Sequence, residues 1–236
     1  MTWTDHDAVL PDRDGVITPP AEVHMRAWAD MFNAFLGSFV SEAAAPATYT
    51  EADYFAHVDG KPRYDGVRDF LASRGITLPE ERVRELGDRK NDAFNEVLAR
   101  DGVVAYPGSV ALLDHLRELG MPLGVVSSSA NAPAVLEAAG LADRFGTVVS
   151  GAVATELGLP GKPEPDTFVH AARELGADVA RSVVFEDAVS GVRAGAAGGF
   201  ALVVGVDRGA GVETLSEAGA DLVVADLAEL LPGPVA

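Results

Sequence analysis

Short, unbroken apolar runs recur along the chain: AVL at 8–10, LGVVSS at 123–128, TVVSG at 147–151, SVVFED at 182–187, ALVVGV at 201–206 and DLVVAD at 221–226. They are rich in valine and lack polar alternation, as strands do when both faces of a parallel sheet are covered. Helical spacing separates them. PGSVALLDHLRELG (107–120) repeats Val110, Leu113 and Leu116 and stops at Gly120, while PDTFVHAARELG (165–176) opens on Pro165 and closes at Gly176. This alternation predicts an α/β fold with a Rossmann-like, doubly wound parallel sheet. RAGAAGG (193–199) has no helix start after it, so it reads as tight helix–sheet packing rather than a phosphate loop.

From about 20 to 102 the rhythm changes. MRAWADMFNAFLGSF, YDGVRDFLASRG and PEERVRELGDRKNDAFNEVLARDG all carry helical spacing, with no strong strand signal between them. The expected organisation is an α/β core formed by residues 1–19 and 103–236, with a helical cap domain, 20–102, inserted after the first strand and lying over the sheet's edge.

Composition narrows the partners. With 36 acidic residues against 18 basic ones, the formal net charge is −18, which disfavours general affinity for nucleic acid or anionic membrane. The only lysines are Lys61, Lys90 and Lys162, and there is no cysteine, hence no disulfide or thiolate chemistry. The segment MTWTDHDAVL lacks the basic and apolar regions of a secretion signal, and no apolar run approaches ~20 residues. A cytoplasmic monomer is expected.

In an open parallel sheet, ligands gather at the carboxyl ends of the strands. Asp12 and Asp14 follow the first predicted strand; Ser127, Ser128, Ser129 and Asn131 follow the second. Lys162 lies in GKPEPD between the third and fourth, and Glu186 and Asp187 end the fourth. Four carboxylates on one rim repel one another, and a hard divalent cation relieves that repulsion. Mg²⁺ takes a few carboxylates together with water and phosphate oxygens. With Lys162 and the Ser127 hydroxyl as further donors, the set suits phosphoryl transfer. Asp12 is the candidate nucleophile, forming an aspartyl-phosphate, and Asp14 the candidate general acid and base.

DRDGV, VVSSSAN, GKPEPD and VVFED, in this order and spacing, resemble the four motifs of the haloacid dehalogenase superfamily. DGVIT, His24, VDGKPRYDGVRDFL (58–71), DRKND (88–92), SSSAN and FED further resemble its β-phosphoglucomutase-like subgroup. The likeness covers nearly the whole chain. It implies Mg²⁺ held by Asp12, the main-chain carbonyl of Asp14, and Asp187, with Glu186 supporting them. It also implies that Ser127 and Lys162 bind the transferring phosphoryl group, and that Arg63 grips the distal phosphate of a sugar bisphosphate. Ser128, Ser129 and Asn131 fall near that phosphate, and Lys90 and His24 match cap and hinge positions.

Four residues depart from the family pattern. Pro11 replaces an aromatic residue, Pro19 a hinge aspartate, and Ala130 a lysine that some relatives carry for the distal phosphate. Arg13 replaces an inward apolar residue, so its charged head must either reach outward or pair with a neighbouring carboxylate. Three functions follow as alternatives. The first is a β-phosphoglucomutase interconverting β-D-glucose 1-phosphate and glucose 6-phosphate. The second is a phosphatase acting on a small sugar phosphate, and the third a catalytically impaired binding protein.

Overall fold

The computed structural model describes residues 2–19, 21–39, 48–58, 61 and 63–232. Asp59, Gly60 and Pro62 of the VDGKPRYDGVRDFL segment lie outside them. The chain forms two compact units, Met1–Pro20 with Val103–Ala236, and Ala21–Gly102.

The first strand, β1 (Ala8–Pro11), precedes the helical unit. That unit holds α1 (Ala21–Ser38), the single turn α2 (Glu51–Asp53) with a π-helical continuation (Tyr54–Val58), α3 (Arg63–Ser73) and α4 (Glu80–Asp101). Trp28, Phe32 and Phe35 follow helical spacing and form one buried stripe. Phe32 meets Phe70 of α3 at 4.1 Å and Tyr49 at 4.9 Å between ring centroids. Thr50 and Asp53 cap α2 reciprocally. Glu80 and Glu81 start α4, Arg100 lies in its last turn, and Gly102 ends it with φ of 66°.

The second unit continues with α5 (Pro107–Glu118), β2 (Gly124–Val126), α6 (Ala132–Ala138), β3 (Thr147–Val149), α7 (Gly151–Leu157) and α8 (Asp166–Glu174). It ends with β4 (Ser182–Glu186), α9 (Val189–Gly198), β5 (Leu202–Val206), α10 (Val212–Ala218) and β6 (Leu222–Val224). All strand pairs are parallel, in the order β1-β4-β5-β6, with β2-β3 as a further pair. Successive residues face opposite ways: Val9, Val125, Val183 and Val204 enter one buried cluster with Leu112, Leu113 and Leu116 of α5. Leu10, Val126, Val184 and Val203 enter another, with Phe168 of α8 and Val192 of α9. Helices therefore cover both faces, which is why the strands read as unbroken apolar runs. Within RAGAAGG, a Cβ on Gly195 would stand 3.0 Å from Val203, so the segment is a close helix–sheet contact inside α9.

Pro11 shapes this sheet. Alternate residues of a strand direct their N–H groups to opposite neighbours; Asp12 donates to Phe185 on β4, and Val9 to Pro122 beside β2. Pro11 thus faces the β2 side, where it has no N–H to give. The contact between the two sheets is a bridge at Val9 and Leu123.

Candidate active site

Because the strands are parallel, β1, β2 and β4 all release their chains at one edge, and the next residues are Asp12, Ser127 and Asp187. Lys162 reaches this edge from the loop between α7 and α8. Its ammonium donates to Asp12 Oδ1 at 2.5 Å, to Glu186 Oε1 at 2.5 Å and to the Val126 carbonyl at 3.1 Å. The ends of three strands are thereby tied to one nitrogen. The side chains of Lys162 and Glu186 are 7% and 2% exposed. Burial alone would pull the Lys162 pKa down. The charges and hydrogen bonds of Asp12 and Glu186 outweigh it, so the ammonium sits above its ordinary range.

The carboxylates go the other way. Burial, then the Asp12 charge, push Glu186 up against the pull of Lys162. Burial, followed by the charges of Glu186, Asp12 and Asp14, pushes Asp187 up to about 9. The rim is therefore short of positive charge even with Lys162 in place.

The turn after Asp12 is closed by backbone bonds from Ile17 and Thr18 to the Arg13 carbonyl, and from Gly15 to the Thr18 carbonyl. Gly15 has φ of 70°, and a Cβ there would fall 1.8 Å from Asp187 Oδ2. Glycine is thus required both by conformation and by the seat of Asp187. Of the two outcomes open to Arg13, the structure has the second: the side chain is buried and its guanidinium donates to Asp14 Oδ2. An outward-reaching Arg13 is corrected accordingly. Its long apolar stem fills the place of the usual apolar residue, and the adjacent carboxylate meets its charge.

In the loop after β2, Ser127 is buried and its Oγ accepts from the Ser129 N–H at 3.2 Å, leaving its own hydrogen for another acceptor. Ser129 Oγ accepts from the Asn131 N–H at 3.2 Å. Asn131 stands at the N-cap position of α6 without a side-chain capping bond, and Ser128 is exposed.

Three sequence candidates lie in the helical unit. Lys90 is buried, with its ammonium 2.8 Å from His24 Nδ1 and about equally far from the Trp28 and Phe94 rings, at 5.1 and 5.0 Å. His24 stacks on Phe94 at 4.3 Å. Arg63 donates to Asn91 Oδ1 at 2.8 Å, with Asp88 3.9 Å away.

Among the described residues, no three carboxylates or imidazoles form a ready-made metal centre. Glu186 has Oε1 on Lys162 and Oε2 on the Ala188 N–H at 3.0 Å, so it supports the rim rather than offering an open oxygen. The oxygen donors of Asp12, Asp187 and the Asp14 carbonyl, with the Asp187 carboxyl raised by burial and then by its negative neighbours, fit a hard cation that keeps several waters.

Sequence reasoning missed Gly191, Tyr106 and Arg208. Gly191 underlies Glu186, while Arg208 stacks on Tyr106 and reaches Gly15. An arginine in so acidic a chain, two residues past a strand end, was the available signal for Arg208.

A buried lysine thus joins carboxylates that end strands along one edge of a parallel α/β sheet. The chain belongs to the haloacid dehalogenase-like hydrolases, whose family model matches residues 6–199. A β-phosphoglucomutase of Mycobacterium tuberculosis is 44% identical over 95% of this chain and 91% of its own. Hexitol phosphatase A of Escherichia coli is 29% identical over 94% and 91%. The fold is shared with a β-phosphoglucomutase of Clostridium difficile, at TM-score 0.77 and 23% identity over 96% of this chain and 93% of that one. The chain is thus a phosphotransferase or phosphomonoester hydrolase of this superfamily, of the β-phosphoglucomutase-like subgroup. No helix among the described residues is long and apolar enough to cross a membrane.

Proposed function

We propose that the chain is a cytoplasmic, Mg²⁺-dependent phosphotransferase that interconverts β-D-glucose 1-phosphate and glucose 6-phosphate through a phosphoryl group carried on Asp12. The observation that carries this reading is the Lys162 ammonium, shared at 2.5 Å between Asp12 and Glu186 and anchored on the Val126 carbonyl next to Ser127. A fixed cation at the nucleophile is what a phosphoryl group with developing negative charge requires. The 44% identity to a β-phosphoglucomutase supports the substrate.

In this reading an Asp12 oxygen attacks phosphorus, the bond from phosphorus to the leaving oxygen breaks, and Asp14 gives that oxygen a proton. In the second half a substrate hydroxyl attacks the aspartyl-phosphate and returns its proton to Asp14. The Ser127 hydroxyl and Lys162 hold phosphoryl oxygens. Asp12, Asp187 and the Asp14 carbonyl would hold Mg²⁺, with Glu186 in support; when bound, the ion neutralises phosphoryl charge. The helical insertion would serve as the cap that keeps water from the phosphoryl group, with Arg63, Lys90, His24, Ser128, Ser129 and Asn131 as candidates for holding the sugar phosphate.

Ala130 and the hexitol phosphatase relative favour a second reading, in which water takes the place of the substrate hydroxyl. The deciding experiment supplies β-glucose 1-phosphate, Mg²⁺ and catalytic glucose 1,6-bisphosphate. Glucose 6-phosphate formed in excess over inorganic phosphate is expected; inorganic phosphate as the main product establishes the phosphatase.

A further inference from the structure

We propose that Arg208 is a positioning residue for Asp14, acting through the backbone of the turn that carries it. The proposal rests on the reading of Asp14 as proton donor and acceptor. The loop after β5 is folded by Asp207, whose carboxylate accepts from the N–H groups of Gly209 and Gly211 at 2.9 and 3.0 Å. From this loop Arg208 reaches back, with its side chain 19% exposed. Its Nε donates to the Gly15 carbonyl at 2.8 Å and its Nη1 to the Ala225 carbonyl at 3.0 Å. The guanidinium lies 3.8 Å from the centre of the Tyr106 ring, and Asp226 Oδ2 is 3.9 Å from Nη1.

The Gly15 bond is one of a set. Ser109 Oγ donates to the Val16 carbonyl at 2.6 Å, and the Tyr106 N–H to the Ile17 carbonyl at 2.9 Å. Three consecutive carbonyls following Asp14 are thus each held by a donor from another segment. The first of them needs it most. Gly15 is the residue with the freest backbone, it is in the left-handed region, and any Cβ on it would collide with Asp187. Rotation at Gly15 swings the Asp14 carbonyl and side chain together. Arg208 suits this position because the guanidinium fork binds two carbonyls while its face stacks on an aromatic ring, a combination that a lysine lacks.

The test uses the full chain with Mg²⁺, β-glucose 1-phosphate and p-nitrophenyl phosphate as substrates, and two variants. Arg208→Met keeps an apolar stem against Tyr106 and removes the donors; Arg208→Lys keeps charge and one donor. The expected result for Arg208→Met is a kcat lower by roughly 10- to 100-fold with KM little changed, and an intermediate kcat for Arg208→Lys. Amide exchange at Gly15, Ile17 and Thr18 should rise by about tenfold while β1 and β4 exchange as in the wild type. Wild-type exchange in the turn, or exchange accelerated equally through β1 and β4, overturns the proposal, as does an unchanged kcat. Should the unaltered protein turn over no phosphate ester, the phosphoryl-transfer reading fails, and the exchange measurement alone decides whether Arg208 holds the turn.

Discussion

A methyl group on Gly191 would fall 1.8 Å from Oε1 of Glu186. Glu186 ends β4, and its carboxylate folds against the first turn of α9, where Oε2 accepts from Ala188 and Oε1 from Lys162. The bare backbone of Gly191 is the floor beneath it. Helix propensity alone predicts that Gly191→Ala stabilises the protein by roughly 0.5–1 kcal/mol. The contact predicts the opposite, because the carboxylate must leave Lys162 or α9 must move, at a cost of about 1–3 kcal/mol. Urea unfolding of Gly191→Ala should therefore show a net loss of stability, and phosphate turnover should drop on the order of 100-fold. A stabilised variant would mean that Glu186 has room to spare.

The shared ammonium makes a second prediction. Lys162→Met leaves Asp12 and Glu186 as buried carboxylates with no cation between them. Removing one partner of such a set costs about 3–5 kcal/mol. Neutralising the other side returns part of that, so Lys162→Met with Glu186→Gln should be more stable than Lys162→Met alone while remaining inactive. Chemical denaturation of the single and double variants measures the coupling. Equal stability of the two would show that Glu186 takes up a proton once Lys162 is gone.

Much of this was legible in the chain. The strands were readable because valine runs covered on both faces leave no polar alternation to confuse with a helix. Asp12, Lys162 and Glu186 stood out because their residue types follow predicted strand ends or occupy a lysine-poor sequence. What was not legible depends on close approach across long separations. Gly191 is one of 25 glycines, and only the fold places its Cα under Glu186. Arg208 and Gly15 are 193 residues apart, and no local pattern marks their bond. Arg13 left two outcomes open because burial of its head depends on whether a neighbouring carboxylate turns inward.

Pro11 gives a prediction about the sheet. Valine at this position restores an N–H toward β2, worth about 0.5–1.5 kcal/mol if paired, and raises strand propensity within a scale of ~1 kcal/mol. Loss of proline gives back roughly 0.4–1 kcal/mol of unfolded-state entropy. Pro11→Val should therefore stabilise slightly and slow amide exchange in β2. Destabilisation would mean that the new N–H finds no acceptor, because a buried unpaired donor costs about 1–3 kcal/mol.

The raised Asp187 carboxyl sets the pH behaviour of the protein without bound cation. Its folded pKa is about 9 against an ordinary 3.8, so between those values the folded state holds a proton that the unfolded chain has released. Stability from this group is fully present below the lower value and lost as pH rises toward the upper one, by up to about 1.4 kcal/mol per unit. Glu186 is shifted in the same direction. Lys162 is shifted upward too, but as a base its contribution persists below about 10.4 and so does not oppose this trend. Thermal melts in chelator should show the midpoint falling from about pH 5 to pH 8. Excess Mg²⁺ should raise the midpoint more at the higher pH, where less proton has to be displaced. Asp187→Asn removes both the charge and the proton, so without Mg²⁺ it should be more stable than the wild type by a margin that widens from pH 5 to pH 8, and unresponsive to added Mg²⁺. A wild-type midpoint that stays flat or rises across this interval in chelator would show that Asp187 is already ionised, and that the rim carries its negative charge without a cation.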